Sequence, residues 1–202
     1  MALDDKVALI LVTLGHLAVE KDRDTYLHRL VELCSQAVEA ERCTIYVVDH
    51  QRSEVRSWVA QRSAVEIRLP VGRGIAGQVA ATGETINVPD AYADPRFDRA
   101  VDLLTGYRTL NMLAVPVWST DGQRAVGVIQ VLNRRSGVFE RRDQMLIERI
   151  GEGVAPMLER VAVRAGGREP FAESYLGHSL QRDFDEDTAQ AEELVARATG
   201  LR

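Results

Sequence analysis

The spacing of apolar residues changes twice along this chain, which limits the folds that it can adopt. At both ends apolar side chains recur every three or four residues, as on one face of a helix. These stripes are Val7, Ile10, Leu11, Leu14 and Leu17; Leu27, Leu30, Val31, Cys34 and Val38; and Leu146, Ile147, Ile150, Val154, Leu158 and Val161. We therefore expect two N-terminal helices and one closing helix, which Gly151, Gly153 and Pro156 should weaken or bend.

Between the helices the apolar period falls to two, which is typical of β-strands. The predicted strands cover residues 43–48, 54–60, 65–69, 85–88, 112–118 and 125–132. The last two flank Asp121-Gly122, a hairpin signal. Residues 91–109 are polar, and a loop this long in a compact domain is usually functional or disordered. The order of elements predicts an α+β fold, an antiparallel sheet with helices grouped around it.

Charge and composition exclude several classes of protein. The net charge of −5 argues against a dedicated nucleic-acid-binding protein, which needs a basic face. Apolar runs stay shorter than the ~18 residues of a membrane span, so we expect no membrane partner. Two cysteines, Cys34 and Cys43, form neither a disulfide framework nor a zinc site, and they favour the reducing cytoplasm.

The chain divides into three parts. Residues 1–22 form an amphipathic helix that we expect to mediate dimerisation, because its apolar stripe precedes the globular core. Residues 23–164 form the core domain. Residues 165–202 begin with a Gly-Gly linker and continue as a polar tail, with one short helix expected over residues 188–198.

Three motifs carry a family resemblance. The first begins Gly72-Arg73-Gly74-Ile75-Ala76-Gly77 and continues to Glu84. The second runs from Asn87-Val88-Pro89-Asp90 to Phe97 and is followed by Thr105-Gly106-Tyr107-Arg108-Thr109. The third combines Asn133, Arg134, Phe139, Asp143 and Gln144. Together they resemble the GAF domains of cyclic-nucleotide phosphodiesterases and of related bacterial adenylyl cyclases, over residues 26–161. The resemblance implies a GAF/PAS-like antiparallel sheet with the N- and C-terminal helices packed on one face.

The glycine motif has three interpretations. It matches the dinucleotide-binding pattern literally, but no βαβ unit surrounds it and Pro70 interrupts the preceding strand. It is also a plain tight turn into a helix. The third interpretation adds that backbone N–H groups at the start of a helix favour an anion. The resemblance implies that Ile75 and Ala76 hold a cyclic phosphate in this way.

The resemblance implies further ligand-binding residues. These are Thr44, Trp58, Asp102, Thr105, Thr109 and Gln130. An aromatic residue at position 58 would stack on the purine, an interaction worth roughly 1–3 kcal/mol, although a tryptophan on a strand also suits a core. Two positions depart from the pattern: Val59 replaces an acidic residue that contacts the base edge, and Gln130 replaces a glutamate.

The third motif is expected to be structural. In the family it fastens a loop to the last helix, and here Arg134 and Asp143 would form the ion pair. Asn133, Phe139 and Gln144 complete the motif.

These features predict a signal-transduction module that is not an enzyme. It would bind a cyclic nucleotide, either cyclic AMP or cyclic GMP, and transmit the signal through its terminal helices. The alternative is a dimerisation or protein-interaction module that binds no nucleotide. We expect a homodimer, an output enzyme or kinase acting in trans, and neither metal nor catalytic residues. Cys34 lies on a helical stripe and Cys43 opens a strand, so neither suits the methionine sulfoxide reductases of this family.

Overall fold

The computed structural model describes residues 23–60 and 66–164, together with residues 10, 12, 13 and 15. The helices are α1 (Arg23–Ala37), α2 (Gly74–Thr82), α3 (Arg99–Thr105) and α4 (Arg141–Arg164), with a 3-10 turn at Ala91–Ala93. The strands are β1 (Ala40–Asp49), β2 (Glu54–Ala60), β3 (Arg68–Pro70), β4 (Ile86–Val88), β5 (Met112–Trp118) and β6 (Ala125–Arg134). Most of the first predicted helix and the predicted tail helix lie outside the described residues.

These strands form one antiparallel sheet in the order β3-β2-β1-β6-β5-β4. The predicted hairpin joins β5 to β6. Strand β3 starts at Arg68, later than the predicted residue 65, and it lies at the edge of the sheet. Pro70 has no N–H to donate. On an edge strand this costs no hydrogen bond inside the sheet, so a proline is tolerated there.

Helices α1 and α4 cover one face of this sheet, which confirms the predicted arrangement of the terminal helices. Their apolar residues join those of β1, β5 and β6 in one buried cluster, which we call the helix-side core. Ile10 is also buried in this cluster, whereas Val12 is 56% exposed. The N-terminal stripe therefore contributes at least Ile10 to the core of its own domain.

The other face of the sheet carries α2 and the segment of residues 91–110, which we call the lid. A second buried cluster joins this face to α2 through Tyr46, Val55, Ile75, Val79 and Val128. Phe97, Val101 and Tyr107 of the lid pack against the same cluster. The sheet is thus buried on both faces, by helices on one side and by α2 and the lid on the other.

Helix α4 continues through the residues that were expected to weaken it. It contains Pro156, and Gly151 is buried against the side chains of Val117 and Ile129. Burial of its apolar stripe against the sheet outweighs the poor helix propensity of glycine, since tertiary packing supplies most helical stability in proteins. Pro156 points away from the core, where it is exposed.

A β-bulge sets the direction of the side chains near the end of β2. Ile45 pairs with Val59 and Tyr46 pairs with Ser57, so Trp58 is the extra residue. Both Trp58 and Val59 consequently join the helix-side core. The regular alternation would have put one of them on the opposite face.

Close packing between α4 and the sheet depends on Gly127. A Cβ atom there would lie 2.7 Å from the carbonyl oxygen of Tyr46 and 2.9 Å from Cδ1 of Leu158. The backbones of β1 and β6 and the last part of α4 therefore meet without space for a side chain. None of the helices in the described ranges is long and apolar enough to cross a membrane.

Replacing this glycine should destabilise the fold. We expect Gly127→Ala to lower the free energy of unfolding by about 1–3 kcal/mol, because the new methyl group overpacks the core. Urea denaturation would measure the change. The matched control is Gly151→Ala, where the nearest atom to the new Cβ would be Val117 Cγ2 at an ordinary 3.5 Å. Equal stability of Gly127→Ala and the wild-type protein would contradict the packing described here.

Candidate functional site

A cavity of about 50 Å³ lies between the sheet, the start of α2 and the lid. The structure brings most of the predicted ligand-binding residues to its wall, namely Thr44, Ile75, Ala76, Asp102, Thr105, Thr109 and Gln130. They come from two strands, one helix and the lid, so only the folded chain assembles them.

The floor of the cavity is polar within otherwise apolar strands. Thr44 of β1 and Gln130 of β6 are cross-strand partners, and both side chains are buried. Tyr46 lies two residues after Thr44 on β1. Burial raises the pKa of its hydroxyl well above the ordinary range. The hydroxyl therefore stays protonated, and it is hydrogen-bonded to Gln130.

The glycine motif forms a turn into α2, and the backbone geometry of this turn favours glycine. Gly72 and Gly74 have positive φ angles of 89° and 66°. A Cβ on Gly77 would lie 2.5 Å from the carbonyl oxygen of Pro70. Strand β3 is antiparallel to its neighbour, so this turn is not part of a βαβ unit and the dinucleotide interpretation does not apply.

The residue at the N-cap of α2 does not cap the helix with its side chain. Arg73 occupies the N-cap position in an extended conformation and makes no capping hydrogen bond. The first N–H groups of a helix have no partner within it, so they are available to an anion. Ile75 and Ala76 lie in this first turn and line the cavity.

The lid is held together internally by a buried carboxylate. Asp102 accepts hydrogen bonds from the backbone N and the Oγ1 of Thr109, both at 2.7 Å. It also accepts a 3.1 Å bond from the hydroxyl of Tyr92. These contacts join α3 to the segments before and after it. The predicted residues Asp102 and Thr109 thus bond to each other, and Thr105 donates to the carbonyl of Val101.

The outer edge of the lid is tied to the glycine turn. Asp98 caps α3 by accepting from the backbone N of Ala100, and its other oxygen accepts from Nε of Arg73 at 3.0 Å. Because the Arg73 side chain is 65% exposed, this ion pair is screened by solvent and contributes little.

Aromatic residues do line the cavity, namely Tyr46, Phe97 and Tyr107, but Trp58 is not among them. The ring of Tyr107 lines the cavity, and the guanidinium carbon of Arg42 lies 3.7 Å from its centroid. Its hydroxyl donates to Glu41 at 2.7 Å. None of Glu41, Arg42 and Tyr107 was predicted from the sequence as part of the site, although Tyr107 stands within the Thr105–Thr109 motif.

The structure corrects the expectation for Trp58. The bulge in β2 turns its ring into the helix-side core, where the side chain is 2% exposed. Stacking on a ligand in the cavity is therefore not available to it. Val59 lies in the same core, so its lack of a carboxylate has no bearing on the cavity wall.

Asn133 connects the end of β6 to the lid. It adopts a left-handed conformation with φ of 53°, which asparagine tolerates better than most residues. Its side-chain oxygen accepts from the backbone N of Leu110 at 2.7 Å, and its amide nitrogen donates to the carbonyl of Arg108 at 2.9 Å. A further bond of 3.2 Å reaches Glu41.

The rest of the third motif fastens the loop after β6 to α4. Nε of Arg134 lies 3.1 Å from Oδ2 of Asp143, and both side chains are buried. The same oxygen accepts from the backbone N of Glu140, the residue before α4, in the manner of a capping box. Phe139 is buried in the helix-side core, and Gln144 donates to Glu148 one turn along α4.

The described residues thus form an antiparallel sheet that carries terminal helices on one face and a lidded cavity on the other. The family model of the GAF domain matches residues 22–156. This chain therefore belongs to the GAF domain family.

The curated relatives are much longer proteins. A dual 3′,5′-cyclic-AMP and -GMP phosphodiesterase 11A of Takifugu rubripes is 29% identical over 182 residues, 83% of this chain but 20% of the relative. A probable 3′,5′-cyclic phosphodiesterase of Caenorhabditis elegans is 31% identical over 138 residues, 62% of this chain and 19% of the relative. The chain spans about a fifth of the length of each.

Solved structures show the same fold at low identity. The GAF domain of a phosphoenolpyruvate-protein phosphotransferase from Coxiella burnetii has a TM-score of 0.67 and 16% identity, with 81% of this chain and 96% of that chain covered. A free methionine-R-sulfoxide reductase from Neisseria meningitidis has a TM-score of 0.63 and 22% identity, with 81% and 91% covered.

The buried ion pair allows a direct test of the third motif. We expect Arg134→Ala to lower the free energy of unfolding by about 3–5 kcal/mol, because it leaves the Asp143 carboxylate buried without its partner. In a double-mutant cycle, Arg134→Ala and Asp143→Ala should show strong coupling in denaturant titrations.

A neighbouring pair supplies the control for that cycle. Arg142 and Glu140 lie 3.3 Å apart and are both more than half exposed, so their removal should cost under about 1 kcal/mol. Additive effects of the two Arg134 and Asp143 substitutions would show that this pair contributes no interaction.

Proposed function

We propose that this GAF domain is a regulatory module that binds a cyclic nucleotide, cyclic AMP or cyclic GMP, in the cavity under the lid. The observation that carries the proposal is the uncapped start of α2 at one end of the cavity. There the N–H groups of Ile75 and Ala76 would hold the cyclic phosphate. The similarity to cyclic-nucleotide phosphodiesterases supports this ligand class.

The polar floor supplies contacts for the rest of the nucleotide. The hydroxyl of Thr44 and the amide of Gln130 each offer a donor and an acceptor, which suits either purine. Tyr107 takes the aromatic role that the sequence had suggested for Trp58. Stacking of a base on such a ring is worth roughly 1–3 kcal/mol.

Ligand entry requires the lid to move. A cavity of about 50 Å³ accommodates a few waters, whereas pockets for ligands of this size usually enclose about 300–1,000 Å³. The lid is internally bonded through Asp102, so it would swing as a unit. A ligand that contacts both the lid and α2 would then favour one lid position over another.

The third motif offers a route from the lid to the terminal helices. Asn133 bonds to the lid at Arg108 and Leu110, and the next residue, Arg134, is paired with Asp143 in the first turn of α4. A shift of the lid would therefore change the forces at the start of α4. We propose that α4 carries the signal to an output enzyme or kinase, in the cytoplasm.

The cysteines favour a regulatory role over the reductase activity known from one structural neighbour. Cys34 and Cys43 are both fully buried in the helix-side core, on the other face of the sheet from the cavity. Their thiols would not reach a substrate under the lid, and burial raises the pKa of Cys43 well above its ordinary value. Thiol chemistry needs an accessible thiolate, which this environment disfavours.

A protein-interaction function is the second candidate, and it is compatible with the first. The interface we propose lies on the helix predicted from the apolar stripe of residues 7–17, where Val12 is 56% exposed. We propose a homodimer formed through the terminal helices.

Cyclic nucleotide binding should be directly measurable. At ~100 times its dissociation constant, a ligand stabilises the fold by about 2.7 kcal/mol, which thermal unfolding detects as several degrees. Calorimetry with cyclic AMP and cyclic GMP would give the affinity. Neither heat nor a melting shift at millimolar concentration of both nucleotides would leave only the interaction function.

Removal of a single hydroxyl, that of Thr44, tests whether the bound nucleotide occupies this cavity. Thr44→Val keeps the shape and strand propensity of the side chain and removes its polar contact, so affinity should fall about tenfold, as for the loss of one hydrogen bond. Thr120→Val is the matched control, since the Thr120 hydroxyl bonds to Glu159 away from the cavity. Equal affinities of Thr44→Val and Thr120→Val would place the ligand elsewhere.

The dimer has its own test. Light scattering coupled to gel filtration should give twice the chain mass of 22.4 kDa at tens of micromolar protein. We expect Val12→Glu to shift the protein toward monomer without changing its melting temperature at low concentration, because the charge is inserted at the interface rather than in the core. A mass of one chain for the wild-type protein would refute the dimer.

A further inference from the structure

We propose that Glu41 is a positioning residue that holds the lid closed through the hydroxyl of Tyr107. This inference deepens the proposed function, since it concerns how the same cavity is opened. Glu41 contributes no atom to the cavity wall. It lies at the start of β1, next to Arg42, whose side chain does line the cavity.

Two contacts of Tyr107 hold the lid against the start of β1. Its hydroxyl donates to Oε2 of Glu41 at 2.7 Å, and the Arg42 guanidinium lies against its ring. Burial and the hydrogen bond to Glu41 both raise the pKa of Tyr107, so the hydroxyl remains a donor at physiological pH. A hydrogen bond to an ionised acceptor is stronger than one between neutral groups.

Glu41 also accepts a hydrogen bond from Asn133. The oxygen that accepts from Tyr107 lies 3.2 Å from the side-chain nitrogen of Asn133, which in turn bonds to the carbonyl of Arg108. One carboxylate oxygen thus bridges the lid and the end of β6. Glu41 and Asn133 are both fixed by the sheet, because their neighbours Ala40 of β1 and Arg134 of β6 are paired.

The lid has other polar ties to the rest of the fold, at the Arg73–Asp98 pair and at Asn133, which bonds to Arg108 and Leu110. The Arg73–Asp98 pair at the glycine turn is mostly exposed on the arginine side, so solvent screens it. The bonds of Asp102 run within the lid and do not resist its movement as a unit. The Glu41–Tyr107 bond is also exposed on the Glu41 side, but it is short and ties the lid directly to β1, so it is placed to influence how often the lid opens.

Hydrogen exchange of the full chain without ligand tests this role. Tyr107→Phe keeps the ring and its stacking on Arg42 but removes the hydroxyl. Glu41→Met keeps the side-chain length but removes the carboxylate. We expect each variant to exchange amides of residues 99–110 about tenfold faster, while amides of β6 keep their protection and the melting temperature stays close to that of the wild type.

The double variant distinguishes a shared role from two separate ones. If Glu41 acts through Tyr107, Tyr107→Phe combined with Glu41→Met should exchange no faster than either single variant. The matched controls are Tyr26→Phe and Glu32→Met on α1, which should leave lid exchange unchanged. Unchanged lid exchange in the single variants, or effects that multiply in the double variant, would overturn the proposal.

Nucleotide kinetics supply a second readout. With cyclic AMP or cyclic GMP, whichever binds, both single variants should raise the association and dissociation rates about tenfold each, because entry and exit both require the open lid, and so leave the affinity nearly unchanged. A wild-type dissociation rate in Tyr107→Phe would also overturn the proposal. If neither nucleotide binds, the proposed function fails while the exchange experiment still decides the role of Glu41.

Discussion

Burial of β1 and β6 on both faces is the constraint on which the rest of this structure depends. Alternate residues of β1 go to opposite sides, so Cys43 and Ile45 enter the helix-side core while Thr44 and Tyr46 face α2 and the lid. A register slip of one residue would exchange these two sets and destroy core and cavity together. The same pairing brings Thr44 beside Gln130 and the ends of the strands beside the lid.

The lid is attached differently from the helices, and this difference suits a sensor. Helices α1 and α4 are held by a large apolar core, which does not rearrange without a large cost. The lid packs on the sheet through side chains that are only partly buried, and polar contacts of Glu41 and Asn133 tie it to the strands. Such bonds are directional and few, so a lid can open while the core stays packed.

Much of the site was predictable, because recognisable motifs carried a family resemblance that implied its residues. Thr44 and Gln130 are polar residues inside apolar strands, and the glycine turn and the Asn133 motif are recognisable from their spacing. Glu41 and Tyr107 gave no such signal, since their side chains meet across 66 residues of sequence. A charged residue at the start of a strand is ordinary, and only its distant partner gives it a role.

The sequence by itself determined the order of helices and strands and the hairpin of β5 and β6, because periodicity and turn signals are local properties, and its motifs carried the family resemblance that implied the pairing of Arg134 with Asp143. Tertiary structure decided the rest. A bulge in β2 directed Trp58 away from the cavity into the helix-side core, and packing against β5 and β6 kept α4 continuous across Gly151. The physical reason is the same in both cases: backbone geometry and burial between distant segments outweigh the preference of any single residue.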